Sequence, residues 1–318
     1  MRLLRHISSV IPSSQPSATD LQSLRPHDGM TPLDLVKLSP LMEITSGRVE
    51  TKIGLIDGPV AINHPALSTA RIHEIPGKIG GACERASSVA CMHGTFVAGI
   101  LCAGRRTAAP AICPDCTLLI RPIFPETTSV NGDMPSATPE ELAGAIVDCI
   151  EAGAHVINLS AALANPSAKG ERTLECVLNY AAKRGVIVVA AAGNQGAVGS
   201  SALTRHPWVI SVIASDLRGV TLKYSNLGNS IGRRGLSAPG QGITSLAING
   251  QPATFGGTSA AAPFVTGTIA LLMSVFPNAT AAAVKLAVTS ASGMKRTTVV
   301  PPLLNAWAAY QMLRTTQG

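Results

Sequence analysis

Short runs of apolar, mostly β-branched residues recur along the chain at 53–56, 118–123, 156–159, 186–191 and 209–213. Their near-continuous apolar character, without a polar alternation, is what parallel strands covered on both faces require. Segments of helical spacing lie between them. The best marked begins at Thr138-Pro139-Glu140-Glu141, where Thr138 and Glu141 form a capping box and Pro139 occupies the first turn; Leu142, Ala145, Ile146 and Ile150 then recur on one face. Alternating β and α units predict an α/β fold, a three-layer sandwich with a mostly parallel central sheet and helices on both faces. No linker-like break appears from about residue 50 to 290, which points to one large domain.

The two ends read differently. Residues 1–28 are polar and proline-containing, as in a flexible arm, and 33–45 carry the pattern of a short amphipathic helix. The expected division is therefore an N-terminal arm, 1–45, and a body, 46–318, that ends in a C-terminal extension. Of the 318 residues, 46% are hydrophobic and only 14% charged, enough to bury a sizeable core and too little charge for a disordered chain. The formal charge of +7 is scattered, with basic doublets at Arg105-Arg106, Arg233-Arg234 and Lys295-Arg296, and aromatic residues make up 3%. Neither a basic stripe nor stacking platforms result, so no nucleic-acid partner is expected. No apolar run follows the basic residues near the N-terminus, and no stretch approaches the about 18 apolar residues of a membrane span. A cytoplasmic location without a membrane span is the expectation.

Seven cysteines, an odd count without a signal peptide, argue for reduced thiols. Cys113-Pro114-Asp115-Cys116 is a CxxC without a matching second pair, read as free or locally paired thiols in preference to a metal or redox site. Cys91, two residues before His93, reads as a small buried hydrophobe. Carboxylates are not clustered as a calcium site needs, so no metal is expected.

Three segments carry candidate chemistry: Thr51-Lys52-Ile53-Gly54-Leu55-Ile56-Asp57-Gly58, His93-Gly94-Thr95, and Gly257-Thr258-Ser259-Ala260-Ala261-Ala262-Pro263. A serine hydroxyl is a poor nucleophile at neutral pH, so a histidine must take its proton and a carboxylate must hold that imidazole in the right tautomer. Asp57, His93 and Ser259 supply these groups, each flanked by small residues that would let a substrate backbone approach. Val188-Val189-Ala190-Ala191-Ala192-Gly193-Asn194 reads as a buried strand ending in a carboxamide, which makes Asn194 the candidate oxyanion donor. His93 and Ser259 are each expected to open a helix, with Pro263 tolerated near its start. His64, His155 and His206 lack such context and read as structural, and Asn158 as a turn or network residue.

The order Asp, His, Ser and the motifs around His93, Asn194 and Ser259 resemble the subtilisin-like serine proteases over roughly residues 45–290. Three departures stand out: Asp57-Gly58-Pro59 lacks the family's usual Thr or Ser after the acid, Phe96 replaces a common second histidine, and alanine replaces glycine in Ser160-Ala161-Ala162. The resemblance implies a subtilisin-like fold and cofactor-free endopeptidase chemistry through an acyl-enzyme, with Ser160, Ala161, Ala162 and Gly193 along the substrate. Asp57-Gly58-Pro59-Val60 followed by His64-Pro65-Ala66-Leu67, together with segments 116–124 and 151–158, is similar, more loosely, to the cyanobactin maturation proteases. That likeness implies a ribosomally made precursor peptide as the substrate. Macrocyclases of that group carry an added lid, and no long insertion stands between Gly104 and Glu140 beyond a Pro- and Thr-rich stretch, Pro122 to Pro139, so linear products are expected. General intracellular proteolysis and a catalytically silent peptide-binding scaffold remain as alternatives, and the sequence sets no oligomeric state.

Overall fold

A computed structural model describes residues 30–85, 87–126, 135–160, 168–291, 296 and 298–317. In chain order the elements are α1 (Pro32–Leu35), α2 (Ser39–Ile44), β1 (Lys52–Ile56), a 3-10 turn (Pro65–Leu67), β2 (Arg71–Glu74), α3 (Val89–Cys102), β3 (Thr117–Ile120), α4 (Pro139–Glu151), β4 (Val156–Leu159), α5 (Ala168–Arg184), β5 (Ile187–Ala191), α6 (Ala202–Arg205), β6 (Val209–Ser215), α7 (Asn229–Arg234) and β7 (Leu236–Pro239). A hairpin of β8 (Ile243–Leu246) and β9 (Pro252–Phe255) follows, then α8 (Thr258–Val275), α9 (Ala281–Ser290) and α10 (Ala306–Gln317).

The first seven strands form one parallel sheet in the order β2-β3-β1-β4-β5-β6-β7. Successive side chains on each strand point to opposite faces, and the core divides accordingly. Ile53, Leu55, Leu118, Ile120, Ile187 and Val189 join α3 and α8 in one apolar cluster. Ile56, Leu119, Leu159, Val188 and Ala190 join α4 and α5 in the other. Both faces are covered, so the strands carry no polar alternation, and the expected three-layer α/β architecture is the one observed.

Differences from the expected boundaries have local causes. The run 118–123 leaves the regular ladder after Ile120 because Pro122 has no N–H, although Arg121 and Ile123 still donate to the carbonyls of Leu55 and Asp57 at 2.9 Å each. The segment 33–45 is two short helices rather than one, broken at Lys37, whose φ of 56° lies in the left-handed region. Val36, Leu38 and Leu41 are fully buried there, and the Arg105 guanidinium donates to the Met42 and Thr45 carbonyls at 2.6 and 2.8 Å. The described part of the supposed arm, residues 30–45, is thus built into the body. Contrary to the sequence expectation, one described helix, Thr258–Val275, is long and apolar enough to cross a membrane; it is the central core helix, 89% buried.

The cysteines correct another expectation. Cys83 and Cys91, with Cα atoms 5.7 Å apart, form a disulfide, and Cys102, Cys113, Cys116, Cys149 and Cys176 are free thiols. Both cysteines of the CxxC are fully buried, with the Cys113 thiol pushed up by hydrogen bonding to Cys102 and Cys116 and by burial. They pack as core residues. Among the described residues, the group of possible metal ligands that lies close together is Cys83, Cys91 and Glu126, and its two sulfurs are bonded to each other.

His64, His155 and His206 serve structure, as expected. His155 Nδ1 accepts the Lys52 N–H at 3.2 Å, and His206 bridges the Trp208 N–H and the Asn179 carboxamide at 3.2 Å each. Burial holds all three imidazoles below the usual histidine range, with the Lys52 ammonium adding to the effect at His155. An unfolded chain therefore binds more protons than the folded one as pH falls through about 6.5, and stability rises with pH across that window. The urea midpoint should fall between pH 7.5 and 5.5; a midpoint that stays level across that range would contradict the assignment.

Candidate active site

The carboxyl ends of the parallel strands gather the candidate groups at one edge of the sheet. Asp57 follows β1, Ser160 follows the neighbouring β4, and Asn194 lies three residues beyond β5. The connections that leave β1 and the neighbouring β4 run to opposite sides of the sheet, the switch point outside whose strand ends open α/β sheets bind ligands.

His93 reaches this edge from α3. The helix starts four residues before His93, where Ser88 caps it by accepting the Cys91 N–H at 3.2 Å. His93 Nδ1 lies 2.6 Å from Asp57 Oδ1, which also accepts the Gly58 N–H at 2.7 Å. The pair is buried, Asp57 completely and His93 to 7% exposure, so the carboxylate acts on the ring with little solvent screening. Packing between backbones enforces the approach. A Cβ on Gly94 would stand 2.4 Å from the Gly58 carbonyl oxygen, and one on Gly58 would stand 2.0 Å from that of Ala90. These glycines admit the helix to the acid loop rather than admitting substrate, which corrects the sequence reading of them.

Ser259 is the second residue of α8 and is 3% exposed. Its N–H belongs to the first turn, where the helix dipole places partial positive charge. Pro263 falls in the second turn, inside the helix, where its missing N–H removes the bond to the Ser259 carbonyl. Asn194 is held by the same turn. Its Oδ1 accepts the N–H and the hydroxyl of Thr258 at 2.9 and 3.0 Å, while the Thr258 hydroxyl accepts the Gly193 N–H at 3.2 Å. Committing Oδ1 in this way directs Nδ2 toward Gly257, where a Cβ would lie 2.9 Å from it and where φ is 115°. Thr258 is therefore an orienting residue that the sequence reading quoted within a motif and did not assign.

Two further residues tie the helices to this edge. Asn158 donates to the Ser160 hydroxyl and accepts from Thr266 of α8, both at 2.8 Å, which makes it the network residue expected and links β4 to the nucleophile helix. Phe96, standing where a second histidine is common, packs edge-on against Phe255 with ring centroids 4.8 Å apart, and its carbonyl accepts the Ser245 hydroxyl at 2.7 Å. The β8–β9 hairpin that leads into Ser259 thus rests on the helix that bears His93. Of the proposed substrate residues, Ser160 is buried at the end of β4 and Gly193 adjoins Asn194, while Ala161 and Ala162 lie outside the described residues.

An acid–imidazole pair, a serine in the first turn of a helix and an oriented carboxamide thus lie toward the carboxyl ends of a parallel α/β sheet. The model of the subtilase family matches residues 49–310, and the chain belongs to that family. It is 32% identical over 189 residues to the thermostable alkaline protease of Halalkalibacterium halodurans (strain C-125), covering 59% of this chain and 48% of that protein. The chain thus spans about half the length of that relative. Among solved structures, a mutant protease domain of PatA superposes with a TM-score of 0.77 at 30% identity, covering 85% of this chain and 97% of that one. The prenylagaramide maturation protease PagA superposes with a TM-score of 0.75 at 27% identity, covering 87% and 98%.

Proposed function

We propose that the protein is a serine endopeptidase that cleaves a precursor peptide through an acyl-enzyme. The observation that carries this reading is the buried contact of 2.6 Å between Asp57 Oδ1 and Nδ1 of His93, whose helix packs against the one that bears Ser259 in its first turn. In the proposed sequence of steps Ser259 Oγ attacks the scissile carbonyl as His93 Nε2 takes its proton, and Asp57 stabilises the imidazolium. The oxyanion is held by Asn194 Nδ2 and the Ser259 N–H. His93 then protonates the leaving amine, and water, deprotonated by His93, releases the acyl group from Ser259. None of these steps requires a cofactor or metal.

The precursor substrate is supported by PagA being described as a maturation protease. We place the protein in the cytoplasm, where such precursors are made, with the Cys83–Cys91 disulfide then belonging to the redox-responsive minority of bonds in that compartment. Ring closure would need the peptide's own amine to reach the acyl-enzyme while water is kept away. Beyond the stretch Pro122 to Pro139, the sequence has no long insertion between Gly104 and Glu140, so linear fragments are the expected products. Incubation with a candidate precursor and weighing of the products tests the reading: linear fragments support it, a mass lower by one water shows cyclisation, and uncut peptide contradicts endopeptidase action.

A further inference from the structure

A circuit of bonds runs from the acid to the base by a route the proposed chemistry does not use. Val60, three residues after Asp57, donates its N–H to the Gly81 carbonyl at 2.8 Å and accepts the Cys83 N–H at 3.0 Å. The same segment is pinned from the far side by the Glu126 carboxylate, which accepts the N–H groups of Glu84 and Arg85 at 3.1 Å each. Cys83 is then joined covalently to Cys91, which lies on α3 two residues before His93. The circuit closes where His93 meets Asp57 at 2.6 Å. A parallel strut adds to it, the Ala61 N–H donating to Thr95 Oγ1 of α3 at 2.9 Å.

We infer that Cys83 and Cys91 are positioning residues for His93: their disulfide holds the first turn of α3 against the Asp57 loop, and its reduction slows turnover. The inference rests on the hydrolase reading above. The first turn of α3 touches the acid loop backbone to backbone at Gly58 and Ala90, so a small outward shift of that turn carries the imidazole away from both Asp57 and the nucleophile. Misplacement of about 1 Å costs about a hundredfold in rate without removing any reacting group. Substrate binding along Ser160 and Gly193 belongs to β4 and β5 and does not pass through the circuit, so the effect falls on kcat rather than KM.

The two sulfurs differ in access. Cys91 is buried, whereas Cys83 is half-buried and lines a surface cavity of about 300 Å³ with Ala61, His64, Glu84 and Arg85. A dithiol reductant therefore attacks at Cys83. Its first thiolate bonds to Cys83 Sγ and expels the Cys91 thiolate, and its second thiolate then closes the reductant's own disulfide and frees Cys83. Two electrons and two protons pass to the protein, leaving two thiols.

The test measures kcat and KM for peptide hydrolysis by the full chain as isolated without reductant, after dithiothreitol, and as the Cys83→Ser/Cys91→Ser variant. Thiols are counted by alkylation and mass, and folding is followed by circular dichroism. Reduction and the double substitution should each lower kcat about 10- to 100-fold with KM unchanged. Reoxidation should restore the wild type, and dithiothreitol should leave the variant's residual rate as it was. Equal kcat in the oxidised and opened protein would overturn the inference, as would seven alkylatable thiols in the isolated protein. Loss of the folded signal in step with kcat would also overturn it, because the bond would then be a general staple. If the variant does not fold, the reduced and reoxidised wild type decides alone. A wild type that neither cleaves peptide nor reacts with a fluorophosphonate in any state would remove the hydrolase reading, a result separate from unchanged kcat in an active enzyme.

Discussion

Ser259→Ala and His93→Ala should each lower turnover by about 10⁶-fold, the scale at which loss of either group disables subtilisin. The equality follows from the mechanism. Without His93, the Ser259 hydroxyl keeps its proton and cannot attack, and without the hydroxyl the base has nothing to activate. The double substitution should therefore cost little more than either single one. Asp57→Asn should retain more activity, because the side chain still packs in its buried place but no longer fixes the tautomer and stabilises the imidazolium. Steady-state rates on a peptide substrate check the series, with each variant purified free of contaminating protease. Wild-type turnover in Ser259→Ala would remove Ser259 from the nucleophile's role, and additive losses in the double variant would show that the two groups do not act as a unit.

Asn194→Ala should reduce kcat by about 10² to 10³ and leave KM nearly unchanged, as expected for a donor that serves the oxyanion more than the bound ground state. The network around it sharpens this expectation. Asn194 Oδ1 takes both hydrogen bonds that Thr258 offers, so the carboxamide cannot rotate without breaking them. Thr258→Val keeps the shape and the backbone donor but loses the hydroxyl, and it also leaves the Gly193 N–H without its acceptor. Its effect on kcat should lie in the same direction and be smaller. If Asn194→Ala raised KM and spared kcat, Asn194 would be a substrate-binding residue instead.

The sheet and its order of elements were legible because burial on both faces leaves a signature in single strands. Runs such as 187–191 stay apolar at every position, and a capping box marks the start of α4 at Thr138. The start of α3 was not legible for the opposite reason. Twelve of its residues, from Ala90 to Cys102, are buried, so the helix has no polar face and its period is hidden; the cap at Ser88 is the signal that was available. Asp57, His93, Asn194 and Ser259 stood out because their chemistry needs particular residue types in particular local settings. What sets their geometry did not stand out. The Gly58–Gly94 contact joins residues 36 apart in the chain, and the Thr258–Asn194 bonds join residues 64 apart. Neither leaves a local pattern. Cys83 and Cys91 are only eight residues apart, yet Cys83 is placed by its N–H bond to the Val60 carbonyl, a tertiary contact.

In the proposed mechanism Ser259 is made nucleophilic by the buried Asp57–His93 pair. The most direct measurement is covalent labelling of the folded full chain by a fluorophosphonate, located by mass spectrometry of the digested protein and repeated on His93→Ala and Ser259→Ala. One phosphonyl group per chain is expected on the peptide that contains Ser259, with strong suppression in His93→Ala and none at that peptide in Ser259→Ala. Labelling at another serine, or labelling of Ser259 that persists unchanged in His93→Ala, would contradict it.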